Sequence, residues 1–459
     1  MHKIPPWVQH HGGLAPHLTV TAPDPVSRST FVGIATASRS GPSPTFTMPL
    51  SHMLFNLFSV ALLGGVSLPG AHAAGSIPSR RITEYQLPVA TETHEFARVP
   101  GTDLLVLSQM SNSHLVKIQL DPKTEQPLDL RSFPMGKDDK SGLHGMWPSE
   151  KRPGLVWMSL QWENKLLLVD AGRKSLEEKP TVVTTIDIPQ PGNGPHCVFE
   201  IKGRVWAGLK VASKQDGGYY VFSSDLDGGN PKLYPSLNSP VFIKEDPSTG
   251  LIYVTQDAAS SIMRINVTSG ETAQLPIPPA VGNNPVGMTT IESGPLRGVW
   301  FSLAGNATGG TATFGRVVSE TGALQFFSLK KPAEIGRKAG LLHVADATTK
   351  EAGPGLWLLS TSLLSNSSGD ALIRVALDDA VSAIKGEEYN ALPTQNAMSH
   401  RIVVLNSTVL VSELHTFTLA QLSYENTVAG KWLPDRGTAS SSSYGKPGKR
   451  QASGKWRDL

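Results

Sequence analysis

The chain has 459 residues, 39% hydrophobic and 17% charged, with 44 glycines, 35 prolines and a net charge of +3. So small a charge gives no basic face for nucleic acid, and no partner of that kind is expected. The single cysteine, Cys197, excludes an intramolecular disulfide.

Residues 1–47 are rich in Pro, Ser, Thr and Gly and carry no apolar period. They read as disordered, or as a gene-model extension upstream of Met48. From Met48, an apolar run from Met53 to Leu63 leads to Ala71-His72-Ala73-Ala74. An apolar core of that length before an A-x-A site reads as a signal peptide over 48–73. Gly64, Gly65 and Pro69 break the run well short of the roughly 20 residues that a membrane span needs. No membrane attachment is expected after cleavage. Four sequons, at Asn266, Asn306, Asn366 and Asn406, agree with a secreted, extracellular glycoprotein.

From Ser76 onward the pattern is strand and turn. In Ile82–Ser108 a strand ending in Leu-Pro leads through a loop to a His. A second apolar strand follows, then a Gly turn, then a third strand ending in Ser. The unit recurs. Anchored on its third strand, the copies fall at Val106, Trp157, Trp206, Tyr253, Trp300, Trp357 and Leu410, at spacings of 51, 49, 47, 47, 57 and 53 residues. Seven units of about 50 residues without helix periodicity predict an all-β fold, a seven-bladed propeller with four-stranded blades over 76–435. Ile82–Pro88 precedes the first complete unit and is expected to supply the outer strand of blade seven. Gly430-Lys431-Trp432-Leu433-Pro434 is a rival for that place. Residues 436–459, Ser-rich and basic, read as a disordered, solvated tail.

The unit resembles that of the virginiamycin B lyases (streptogramin lyases). The matching pieces are Ile82–Pro88, Pro195–Val198, Val299-Trp300-Phe301-Ser302 and Ile262-Met263-Arg264-Ile265. The resemblance runs diffusely over Ile82–Leu422 and marks the chain as a distant secreted relative with longer, less regular units. It implies a carbon–oxygen lyase that opens a cyclic depsipeptide at its ester by elimination. The family does so with a magnesium ion, two histidines on adjacent blades and a glutamate two residues before one of them. Carried onto this chain, Glu92-Thr93-His94 supplies that glutamate and one histidine, and His400 supplies the other. Glu92 would then hold a magnesium-bound water, orient His94 or bind the metal. Thr93 and Ser399 stand where the family has proline. Glu413 aligns with a family glutamate ending strand three, and Gln109 and Gln256 take that place in other blades.

Counting along the repeat reaches the same region. The position entering each innermost strand is His94, His144, His196, Val241, Val286, Ala339 and His400. Thirteen histidines in 459 residues would place only about 0.2 at any seven positions. Because blade seven neighbours blade one, the four histidines should line one side of the central mouth, opposite an apolar side. Imidazoles suit proton abstraction near neutral pH. His94, His400 and Glu92 are the candidate catalytic group. His144, His196, Glu413, Gln109 and Gln256 are candidate ligand contacts. Histidines at such a mouth can instead satisfy backbone groups. Cys197 reads as a small buried apolar residue, and His343 as core.

Four function classes follow. The first is a secreted, monomeric lyase for a cyclic peptide or lactone-containing small molecule. A calcium-dependent lactonase is disfavoured because the inner positions are rich in His and poor in carboxylates. A non-catalytic binding propeller and a metal-free natural-product cyclase or pericyclase would use the same pocket.

Overall fold

The computed structural model describes residues 82–423, apart from 91, 333, 334, 337 and 350–352. The expected leader, the rival strand at 430–434 and the expected tail lie outside the described residues. Those that are described form 28 strands in seven antiparallel four-stranded sheets, with no α-helix among them. Neighbouring inner strands touch all the way round, so the sheets close into a seven-bladed propeller.

Blade one is β2 (Thr93–Arg98), β3 (Leu104–Gln109), β4 (His114–Leu120) and β5 (Pro127–Pro134), running from axis to rim. Blades two to six repeat that order. Their inner strands are β6 (Leu143–Pro148), β10 (Pro195–Ile201), β14 (Pro240–Glu245), β18 (Pro285–Ile291) and β22 (Gly340–Asp346). Blade seven is built from both ends of the described chain. β26 (Ser399–Val404), β27 (Thr408–Glu413) and β28 (Thr418–Ser423) are completed by β1 (Ile82–Gln86), paired antiparallel from Ile82↔Leu422 to Gln86↔Thr418. The N-terminal strand thus takes the expected closing place. Glu125 adds a second tie across the closure. It accepts the backbone N–H groups of Asn406 and Ser407 at 3.1 and 2.8 Å, and its own carbonyl takes the Gln421 side-chain amide at 2.8 Å.

The anchor positions explain why the repeat packs. Each lies on the second strand of its blade, where neighbouring blades cover both faces, and none is more than 1% exposed. Such strands read as continuous apolar runs rather than alternating ones. The indole of Trp157 donates to Glu200 at 2.8 Å, and that of Trp300 to the Leu296 carbonyl at 2.8 Å, whereas the Trp206 N–H and the Tyr253 hydroxyl are buried without a partner.

Six of the seven second strands carry a serine or threonine near their end, and blade three has Gly208 there. Ser159 Oγ accepts the Gly145 N–H at 2.7 Å and donates to the carbonyl of His196 in the next blade at 2.7 Å. Thr255 does the same for Phe242 and Val286, and Ser412 for Arg401 and His94. In these three blades one hydroxyl bridges its own inner strand and the neighbouring blade. All seven inner strands carry a register shift at their axial end. A bulge leaves ladder groups unpaired, and in these three blades the hydroxyl satisfies them.

Candidate functional site

The residue three before each anchor's partner on the inner strand sits at the bulge. By the observed register these residues are His94, His144, His196, Val241, Val286, Leu342 and His400. Blade six differs from the expectation, with Leu342 in place of Ala339. Its bulge lies between Leu341 and His343, because Ala345 is the residue opposite Trp357. The apolar side of the throat is therefore Val241, Val286 and Leu342, all buried.

The four histidines meet. His196 and His144 have ring centroids 3.7 Å apart, His144 and His94 4.1 Å, and His94 and His400 4.7 Å with the planes nearly perpendicular. At these separations the rings fill the space between them, so a ligand would rest on the cluster rather than within it. Gly145 allows this closeness, since a Cβ there would stand 2.4 Å from the His196 carbonyl oxygen. That carbonyl faces His144 Nδ1 at 3.1 Å. A carbonyl can only accept, so the proton is on Nδ1 and Nε2 keeps its lone pair. His196 Nδ1 meets Gln161 Oε1 at 3.0 Å.

Several polar atoms here are buried without a hydrogen-bond partner: both ring nitrogens of His94, Nε2 of His144, Nδ1 of His400 and Nη2 of Arg401. Burial holds all four imidazoles well below the ordinary histidine range, and neighbouring cations push the same way. Those cations are Arg401 and Lys210, the latter paired to Asp257 at 3.3 Å. At neutral pH the cluster is therefore a set of uncharged bases beside fixed positive charge.

The other expected site residues are placed as follows. Glu92 is half-buried in the loop before β2, and burial raises its carboxyl. It makes no hydrogen bond to His94, whose ring nitrogens are both free. Gln109 donates to the Pro88 carbonyl at 2.8 Å, and Gln256 donates to Gln274 and accepts from Leu237 N–H. Glu413, pushed up to about 7 by burial, accepts from Thr416 and Thr418. These three end their second strands, and the hydrogen bonds they make are local ones. Burial pushes the Cys197 thiol up to about 12, where it is no nucleophile, and its sulfur accepts the Gly208 N–H.

The donor set can be tested against the magnesium ion that the resemblance implies. Magnesium demands oxygen ligands in octahedral array. The throat offers imidazole nitrogens, and one of its carboxylates, Glu95, is bound to Arg401. Glu92 and Glu413, whose Oε1 is buried without a partner, are left, and no three His, Cys, Asp or Glu side chains among the described residues group to hold a metal. The residues do not fit a protein-built magnesium cage.

Sequence reading placed Cys197 and His343 in the core and missed Glu95, Phe242 and Arg401, which join them in the layer just inside the histidines. In a regular strand the residue after an axial one points away from the axis. The bulge turns both inward. A buried ion pair joins Glu95 to Arg401, whose guanidinium carbon lies 4.3 Å from the Phe242 ring on the far side of the propeller.

No protein-family model matches the chain, and no curated protein does. Among solved structures, selenomethionine-substituted virginiamycin B lyase from Staphylococcus aureus aligns with a TM-score of 0.54 at 19% identity, over 75% of this chain and 99% of that one. A catalytically inactive variant of that lyase, a histidine-to-alanine change with quinupristin, gives 0.55 at 18%, over 75% and 99%. YCF48 bound to D1 peptide gives 0.51 at 12%, over 77% and 99%. The propeller architecture is that of the streptogramin lyases. The YCF48 match shows the same architecture outside them, so the likeness establishes the fold.

Proposed function

We propose that the throat binds an ester- or lactone-containing cyclic molecule and opens it by elimination, with an imidazole as the base. The observation that carries this reading is the contact of four buried, uncharged imidazoles from consecutive blades, with both nitrogens of His94 free. A neutral imidazole accepts a proton from a carbon beside a carbonyl. The carbon–oxygen bond then breaks, a carbon–carbon double bond forms, and a carboxylate leaves. Arg401 and Lys210 would stabilise the developing negative charge. The apolar wall of Val241, Val286 and Leu342 suits the greasy part of such a ligand. The inactive histidine-to-alanine lyase with quinupristin supports a histidine in this role. No step here passes through magnesium.

The same reading makes the protein secreted. Asn306, Asn366 and Asn406 are exposed, and Asn266 is half-buried, its side-chain oxygen accepting the Thr268 and Ser269 N–H groups. Glycan on these residues and a mature N-terminus near Ala74 are the expected marks of secreted material.

Incubation with ester-containing cyclic peptides tests the chemistry. Elimination gives a linear product of unchanged mass carrying a dehydrated residue, whereas a gain of one water would mean hydrolysis. His94→Ala or His400→Ala should lower the rate by about 10²–10⁴-fold. The double change should cost little more than the worse single one. Full activity in both single variants overturns the reading.

A further inference from the structure

Beside the histidines, on the same inner strands, lie charged groups that the proposed elimination does not fully use. Arg401 is 2% exposed. Its Nε is bound to Glu95, its Nη1 donates to the His400 carbonyl at 3.1 Å, and its Nη2 has no partner. His343, on the adjacent inner strand, accepts the Ile402 backbone N–H at Nδ1, at 3.2 Å. A backbone N–H can only donate, so the His343 proton must sit on Nε2. No hydrogen-bond partner for that Nε2 is found among the described residues. Phe242 touches both groups, with its ring 4.3 Å from the Arg401 guanidinium carbon and 5.5 Å from the His343 ring. Two free donors on adjacent inner strands thus lie against one aromatic ring.

Glu95 balances Arg401, and burial lowers Lys244, whose nitrogen lies 3.6 Å from the Trp147 ring, to about 7. A buried donor without an acceptor is costly. A planar carboxylate would correct this, offering oxygen to two donors.

We infer that the two donors beside the histidine layer form a binding site for a small carboxylate, held between Arg401 Nη2 and His343 Nε2. It stands whether or not the throat is a lyase.

Sodium formate titrated calorimetrically into the full chain at pH 7.5 and constant ionic strength tests this. Saturable binding to one site is expected. The charge-neutral pair of changes Arg401→Gln and Glu95→Gln, made together so that no buried carboxylate is stranded, should weaken it at least tenfold. That is the loss expected for one charge-assisted hydrogen bond. His343→Phe keeps the ring volume, removes the second donor and should weaken binding by itself, which decides the matter if the double variant does not fold. Lys232→Met, which removes an exposed cation on the outer strand of blade three, should leave binding unchanged. Absence of saturable binding to the wild type overturns the inference. So does binding that survives His343→Phe at full strength, or binding that falls with Lys232→Met alone.

Discussion

His144 and His196 lie with ring centroids 3.7 Å apart and planes at 34°, and the first donates its Nδ1 proton to the backbone carbonyl of the second. The same carbonyl takes the Ser159 hydroxyl. One backbone oxygen therefore fixes both the spacing of blades two and three and the tautomer of a throat histidine. In nitrogen-15 correlation spectra, His144 should show a protonated Nδ1 and a bare Nε2. Ser159→Ala should leave that tautomer in place and weaken the blade contact. A protonated Nε2 in the wild type would contradict the assignment.

Stability should fall steeply below neutral pH. Burial lowers the pKa of His94, His144, His196, His343 and His400 from the ordinary 6.5. Unfolded, each takes up a proton as pH drops through 6.5; folded, each stays neutral until far lower pH. Each can cost the native state up to about 1.4 kcal/mol per pH unit in that window. Glu92, Glu95, Glu150 and Glu413 oppose this. Their raised folded values mean that the native state takes up protons first, from about 7 for Glu413 and otherwise from above the usual 4.5. The five imidazoles, all lowered from 6.5, outweigh these four carboxyls. Urea unfolding at pH 7.5, 6.5 and 5.5 should show the decline, and His144→Gln with His196→Gln should flatten it. Constant stability across that range would refute the buried neutral cluster.

The ring is closed by β1, so removing Ser76–Pro88 should cost far more stability than removing Arg436–Leu459. The first deletion strips blade seven of its outer strand and uncovers the edge of β28. It also removes Glu84, which accepts the backbone N–H and hydroxyl of Thr394, each at 2.8 Å. Equal melting temperatures for the two truncations would falsify this closure.

Trp300 is fully buried, with its ring centroid 5.7 Å from Phe327 and 6.3 Å from Phe314. Trp300→Ala should destabilise by about 3–5 kcal/mol, through lost burial and the cavity left behind. Trp300→Phe should cost less, although it strands the Leu296 carbonyl that the indole now serves. Denaturant titration of both variants measures the difference.

The propeller was legible in the chain because its signals are local and repeated. A buried second strand must be apolar on both faces, so Trp157, Trp206, Trp300 and Trp357 recur where neighbouring blades press. In three blades the hydroxyl near the end of that strand serves the bulge and the next blade, and Ser or Thr recurs there in six of the seven units. The four throat histidines were legible for the same reason, since each holds one fixed place in its unit. Ala339 was assigned where Leu342 stands because spacing locates a bulge only to within a few residues, and pairing with the anchor strand decides it.

What the sequence could not determine were relations between residues far apart along the chain. Arg401 follows His400, and Glu95 follows His94, which in a regular strand would send them to the opposite face. The bulges turn them inward, and closure of the ring brings their side chains together across 306 residues. Phe242, on the far side of the propeller, then covers the pair. The sequence by itself determined the blades, the anchors and the histidine positions, because these follow from local period and burial. Which nitrogens are free and which carboxylate is spent on an arginine were decided only by the tertiary structure. Those properties depend on distances across the axis, and no local pattern encodes them.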